Sequence, residues 1–191
     1  LAFQSTLVKV DGPSHTAWFD VKDAAGNTTR VEKHFDMLHV VPPQRAPDVV
    51  RNSTLADAAG WCEVDQFTLQ HVRYTNVFSL GDVCSSPNAK TAAAVRKQIV
   101  VVAENLLAVM SGQVMPTRYD GYGSCPLTVE KGKVVLAEFG FGGKLLPTFP
   151  LNPAVARQSA WFLKAVLLPH IYWQLMLKGH EWLARPSKAT E

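Results

Sequence analysis

Charge and cysteine are both scarce in this sequence. Charged residues make up 18% of the 191 positions and apolar residues 47%, an apolar balance for a chain that would fold in water. The net charge is only +3 and the basic residues are scattered. Without a Lys/Arg run interleaved with aromatics, nucleic-acid binding is excluded as a function class. A mildly basic balance is compatible with an anionic membrane surface but does not require one. The three cysteines, Cys62, Cys84 and Cys125, lie far apart. An odd count with no close pair argues against a disulfide-stapled secreted domain. The absence of CxxC or Cys/His ligand spacing gives no metal site. No apolar run reaches the ~18–20 residues a membrane span needs. The first residues carry neither Met nor a basic segment followed by an apolar one, so they form no signal peptide, and the chain reads as though cut from something longer. Gly140-Phe141-Gly142-Gly143 lacks the strand–turn–helix setting of a phosphate loop. Repeats and low-complexity segments are absent.

The length suits one or two domains with a real core. Residues 5–10, 16–21 and 28–35 alternate apolar and polar, with turns at Asp11-Gly12-Pro13-Ser14 and around Gly26, which predicts an antiparallel meander. Residues 37–41 form a continuous apolar run ended by Pro42-Pro43 and read as a buried parallel strand, with His39 as a satisfied core histidine. A short helix fits within 48–59, and short strands fit 61–64 and 68–71 around Asp65. Residues 91–110 predict a long helix that stops at Gly112 and is mostly buried. Residues 116–125 read as loop, and 127–130 with 133–139 as a hairpin around Lys131-Gly132. Residues 154–178 are apolar and aromatic and are divided by Pro169 into two helices, followed by a polar, frayed tail from Arg185. The aromatic segment fits core packing, a membrane interface or a partner interface; a membrane span is excluded by its length and by Pro169.

The organising stretch is residues 76–91. An apolar strand (Val77, Phe78, Leu80) runs into Gly81-Asp82, and a polar loop leads to the helix opening at Lys90-Thr91. Strand, Gly-Asp, loop and helix is how an α/β sheet presents a carboxylate and a helix N-terminus to one ligand. A carboxylate there accepts hydrogen bonds from ribose or ribityl hydroxyls, which suggests a flavin or nucleotide site. Asp82 alone could equally be an Asx-turn or helix-cap residue. Lys90 in a first turn is disfavoured by the helix dipole unless an anionic partner faces it. Read alone, Cys125 is an ordinary thiol, Cys62 beside Trp61 a packed one, and Cys84 a spectator. His170 reads as a helix N-terminal residue rather than a proton relay.

Taken together, Gly81-Asp82, Lys90-Thr91 and Tyr119-Asp120-Gly121-Tyr122-Gly123-Ser124-Cys125-Pro126 make the chain resemble sulfide:quinone oxidoreductases. These are flavoproteins of the pyridine nucleotide-disulfide oxidoreductase superfamily. The likeness extends over Asp36 to Pro43, Ala56 to Trp61, Thr68 to His71, Leu136-Ala137-Glu138-Phe139, Thr148-Phe149-Pro150 and Tyr172-Trp173. It implies an α/β fold, the C-terminal part of a flavoprotein with two Rossmann-like dinucleotide-binding domains. In that layout residues 1–36 end the second such domain, 37–113 return to the FAD-binding domain, and 114–191 form a redox, quinone and membrane-facing region. The GxGxxG unit and the second redox cysteine of the family are missing from this sequence, so the resemblance is to a C-terminal half, expected to be inactive alone and not to retain FAD.

The resemblance assigns Gly81, Asp82 and Val83 to the FAD ribityl chain and Lys90 and Thr91 to the flavin pyrimidine edge. Cys125 becomes half of a redox disulfide that sulfide opens, leaving a persulfide whose sulfur passes to a small thiol or other acceptor. Phe139, Phe149, Trp161, Phe162, Tyr172 and Trp173 would shape a quinone pocket and a membrane-facing surface. The implied location is a peripheral membrane one, on the bacterial cytoplasmic or the mitochondrial inner membrane, and exposed sheet edges would favour a homo-oligomer. Two other readings stay open: a quinone-reducing flavin dehydrogenase that uses NADH and has no need of Cys125, and a non-catalytic α/β membrane-docking module.

Overall fold

A computed structural model describes residues 2–87, 90–180, 184, 187 and 188. The chain divides into two compact units, Leu1–Gln44 and Arg45–Glu191. The fold is mixed α/β, and the sheets among the described residues are small and antiparallel.

The first unit is the expected meander: β1 (Ser5–Asp11), β2 (Thr16–Lys22) and β3 (Thr28–His34), paired in that order. The Asp23 carboxylate accepts from Asn27 N–H at 2.9 Å and Asn27 Nδ2 at 3.0 Å, closing the second turn. On one face, Asp20 opposes Arg30 and Trp18 opposes Glu32, so the polar positions pair across strands. The Arg30 guanidinium holds the Asp20 carboxyl below its ordinary range. Residues 37–41, by contrast, are not a strand. Met37 is 87% and Val41 78% exposed, and His39 is exposed rather than a core histidine. A parallel strand needs neighbours to take its amides; the described residues provide none, and Pro42-Pro43 has no N–H to offer.

The second unit opens with α1 (Asp48–Arg51), shorter than the window predicted for it. The strands expected at 61–64, 68–71 and 77–80 are reduced to single-residue bridges, among them Val64 with His71 and Gln70 with Phe78. The Asp65 carboxylate bends the chain by accepting from the N–H groups of Phe67 and Thr68. Leu69 then takes φ 61° and cannot extend.

The long helix forms as predicted: α2 (Ala92–Met110) starts from Thr91, whose hydroxyl accepts from Ala94 N–H at 3.2 Å, and Gly112 follows its end at φ 66°. Its burial departs from expectation. Only Ala94, Gln98, Val101 and Asn105 are buried, whereas Ile99 is 53% and Met110 75% exposed. The interior face carries the two amides because the loops packed against it present backbone groups that need partners. Asn105 Nδ2 donates to Thr68 O and Thr117 O, and its Oδ1 accepts from Thr117 N–H and hydroxyl, all at 3.1–3.2 Å. Val64, Leu69, Cys84, Ala94, Val101 and Tyr119 complete this core, with Phe141 packed on it.

Beyond α2, β4 (Thr117–Arg118) pairs with β7 (Ser187–Lys188), so these two residues of the tail expected to fray are in a strand; Arg185 and the chain end lie outside the described residues. β5 (Gly123–Glu130) and β6 (Lys133–Phe139) form the predicted hairpin, turned at Gly132 with φ 79°. The aromatic segment forms α3 (Gln158–Phe162), a π turn at Leu163–Leu167 and α4 (Leu168–Gln174). Pro169 does not break the path. It sits in the first turn of α4, where its missing N–H matters least, and the irregularity falls in the π turn before it. Lys164 anchors that turn to β5 by donating to Pro126 O at 2.9 Å and Thr128 Oγ1 at 2.8 Å. Trp161, Phe162, Val166, Tyr172 and Trp173 are exposed and do not form part of the core of this chain. No helix among the described residues is long and apolar enough to cross a membrane.

Candidate functional site

Gly81–Val83 is a single 3-10 turn between the extended chain at Leu80 and the loop to α2. Gly81 holds φ 71°, and a Cβ there would meet Val95 Cγ2 at 3.2 Å. Gly81 N–H donates to the buried Gln98 Oε1 at 2.7 Å, so α2 fixes the turn directly. Asp82 follows with its carboxylate exposed. Thr91 caps α2 and so satisfies one first-turn donor, leaving the positive end of the helix dipole beside residues 90–91. Lys90 Nζ donates to Cys84 O at 2.8 Å and lies 4.0 Å over the Trp61 ring. Burial pushes the Lys90 amine below its ordinary value, and the nearby carboxylates of Asp82 and Asp57 pull it back.

Cys62 and Cys84 are buried neighbours across a parallel bridge. Burial raises the Cys84 thiol above its usual range, and its Sγ donates to Gly81 O at 3.2 Å. Both thiols are buried, as expected for Cys62. Cys125 differs. It is half-buried, free, and set in β5 opposite Ala137. A half-exposed thiol on a hairpin has a fixed position and an open approach.

Side chains alternate across the hairpin, so Cys125 and Ala137 share one face while Ser124, Glu138, Pro126 and Leu136 share the other. The second face carries two features. Glu138 is 5% exposed, and its carboxylate accepts from Tyr122 OH at 2.7 Å, Thr148 N–H at 3.0 Å and the Thr148 hydroxyl. Tyr122 is in turn flanked by the Lys97–Asp120 ion pair at 3.1 Å, with the Lys97 amine 4.6 Å over its ring. Burial raises the phenols of Tyr119 and Tyr122, and the neighbouring Glu138 adds to the rise at Tyr122.

Beside Glu138 opens a cavity of about 320 Å³, walled by Leu136 and Glu138 of β6, by Pro147, Phe149 and Leu151, and by Phe162 and Leu163 of the aromatic segment. Arg157 also lines it, and its buried Nε has no hydrogen-bond partner among the described residues. Leaving such a donor unpaired costs about 1–3 kcal/mol. A mostly apolar concavity of this size with a few polar atoms suits a small, largely apolar ligand.

The structure therefore brings together Gly81, Asp82, Val83, Lys90 and Thr91 around one turn. Cys125 stands on a hairpin that packs against α2. Of the aromatics named from the sequence, Phe149 and Phe162 line the cavity; Phe139, Trp161, Tyr172 and Trp173 do not. Sequence reasoning missed Gln98, Glu138 and Arg157. A polar residue inside an apolar run, Gln98 in α2 and Glu138 in β6, was the available signal. Arg157 offered none.

No family model matches the chain. Three curated relatives do, each named sulfide:quinone oxidoreductase, mitochondrial. The Mus musculus protein is 40% identical over 93% of this chain, that of Dictyostelium discoideum 41% over 96%, and that of Schizosaccharomyces pombe 34% over 94%. The chain spans 39–40% of their length. Among solved structures, a chain in the Tetrahymena thermophila mitochondrial ATP synthase F1Fo tetramer superposes with a TM-score of 0.67 over 93% of this chain and 40% of that one. At 24% identity, that likeness concerns the fold alone.

Proposed function

We propose that the chain carries one redox cysteine, the flavin-facing turn and the quinone cavity of a flavin-dependent sulfide:quinone oxidoreductase. One observation carries the reading: 34–41% identity, along 93–96% of the chain, to proteins whose names state that reaction. The half-exposed Cys125 on its hairpin supports it. The NADH-dependent alternative has no such support.

The residues present fit their share of an FAD site. Asp82 offers an exposed carboxylate from a turn pinned by Gln98, suited to ribityl hydroxyls. The α2 N-terminus and the Lys90 amine supply positive charge for the pyrimidine edge. When bound, FAD provides the two-electron link between sulfur chemistry and quinone. In this reading Cys125 pairs in a disulfide with a second redox cysteine that is not among the residues of this sequence. Hydrosulfide attacks the Cys125 sulfur; the S–S bond breaks, a persulfide forms on Cys125, and the partner leaves as thiolate. A small thiol then takes the outer sulfur. The exposed Trp161, Phe162, Tyr172 and Trp173 dock the protein peripherally on the membrane that holds the quinone.

The test compares electron donors in the full-length protein. Sulfide should drive quinone reduction and NADH should not; NADH-driven turnover with no response to sulfide would overturn the reading.

A further inference from the structure

We propose that Gln98 and Tyr119 are positioning residues that tie the Gly81–Val83 turn to the hairpin carrying Cys125 and so fix the approach of the redox sulfur to the flavin. This rests on the functional reading above and extends it to a buried connection between the turn and the hairpin.

Gln98 lies on the inner face of α2, 3% exposed, and its Oε1 accepts from Gly81 N–H at 2.7 Å. Gly81 O accepts in turn from Cys84 N–H at 3.3 Å and from the Cys84 thiol at 3.2 Å, so both backbone groups of the residue before Asp82 are held. The turn has little room to move toward the helix, because a Cβ on Gly81 would already meet Val95 Cγ2 at 3.2 Å. The other end of the Gln98 amide is a donor. Tyr119, 1% exposed, gives its hydroxyl proton to Tyr122 O at 2.6 Å, which leaves the phenol oxygen free to accept from Gln98 Nε2. The Gln98 amide accordingly opposes the rise that burial causes in the Tyr119 phenol.

Tyr122 carries the connection into the hairpin. Its N–H donates to Asp120 Oδ1 at 3.0 Å and its hydroxyl donates to Glu138 Oε1 of β6 at 2.7 Å. β5 starts at the next residue, Gly123, and Cys125 stands two places on. The path from Gly81 through Gln98 and Tyr119 to Tyr122 is therefore short and buried. Breaking it leaves a backbone group without its partner, Gly81 N–H at one end or Tyr122 O at the other. Such a path sets spacing rather than chemistry. Where a reacting sulfur must meet a fixed acceptor, a misplacement of about 1 Å costs about a hundredfold in rate.

The experiment bleaches the flavin-loaded, full-length protein without oxygen, either by sulfide, which acts through Cys125, or by dithionite, which reduces flavin without it. Tyr119→Phe removes the bond to Tyr122 O and keeps the one to Gly81. It should slow sulfide bleaching about tenfold or more and leave FAD retention and dithionite bleaching unchanged. Gln98→Met removes the bond to Gly81. It should slow sulfide bleaching by a similar factor and also weaken FAD binding about tenfold, the value of one buried hydrogen bond. Because the two residues form one connection, the double variant should be no slower than the slower single variant. Val101→Ala, which empties core space on the same buried face of α2 without removing either hydrogen bond, controls for general loosening. Sulfide bleaching at the wild-type rate in both single variants, multiplied slowing in the double variant, or equal slowing by Val101→Ala overturns the proposal. A Gln98→Met protein that lacks flavin while Val101→Ala retains it supports the hold on the turn, and Tyr119→Phe then decides the connection. A wild-type protein that dithionite bleaches and sulfide does not defeats the functional reading instead.

Discussion

Replacing Asn105 with Ala should strongly destabilise the second unit. Asn105 is 0% exposed and makes four hydrogen bonds, two given to Thr68 O and Thr117 O and two accepted from Thr117 N–H and hydroxyl. In the alanine variant the Thr117 hydroxyl can turn elsewhere, but three backbone groups lose their partner. Each buried orphan costs about 1–3 kcal/mol. Partial relaxation brings the expected total to about 4 kcal/mol, a large share of the 5–15 kcal/mol that typically holds a domain. For a chain of this size that corresponds to a drop in Tm of roughly 12 °C. Asn105→Asp keeps the acceptor for Thr117 but turns an oxygen toward two carbonyls, and should be at least as damaging. Urea denaturation followed by far-UV circular dichroism measures both. A loss below about 1 kcal/mol in Asn105→Ala would refute the idea that the amide face of α2 organises this core.

The buried tyrosines predict an alkaline limb. The phenols of Tyr119 and Tyr122 are raised in the fold by burial, so the stability they contribute is complete below the ordinary phenol value of 10.0 and is lost as pH climbs above it. Titration at 295 nm should show these two of the four tyrosines ionising only on unfolding, and Tyr119→Phe should flatten the loss of urea midpoint between about pH 9 and 11. Gly121 holds φ 79°, and a Cβ there would lie 2.5 Å from the Phe141 ring. Gly121→Ala should therefore cost more than about 2 kcal/mol and loosen the edge-on packing of Phe141 against Tyr119 and Phe67, seen as a lower Tm and altered near-UV circular dichroism.

Local rules were legible where the answer is local. Alternation with Gly/Asn turns predicts the three-stranded meander to within a residue or two, and Thr91, the Ala-rich start and Gly112 delimit α2. What periodicity cannot say is which face finds a partner. The helix at 91–110 reads as mostly buried, yet Ile99 and Met110 lie exposed, while Gln98 and Asn105 lie buried because backbone groups of Thr68, Gly81 and Thr117 require them. The 37–41 run failed for the same reason: its apolar character is local, but a strand exists only with neighbours. At the candidate site, short motifs single out Gly81-Asp82 and Cys125, and the structure sets the first in a 3-10 turn and the second on a hairpin. Glu138 showed only as a polar residue inside an apolar run; its setting depends on donors from Tyr122 and Thr148, 16 and 10 residues away, and on a cavity closed by the aromatic segment.

The central claim is that Cys125 receives sulfur on behalf of a bound flavin. The most direct measurement is the absorbance of the full-length, flavin-loaded Cys125→Ser protein on anaerobic addition of sulfide. The account predicts a yellow protein that stays yellow, because no disulfide remains for sulfide to open. Bleaching at the wild-type rate would contradict it.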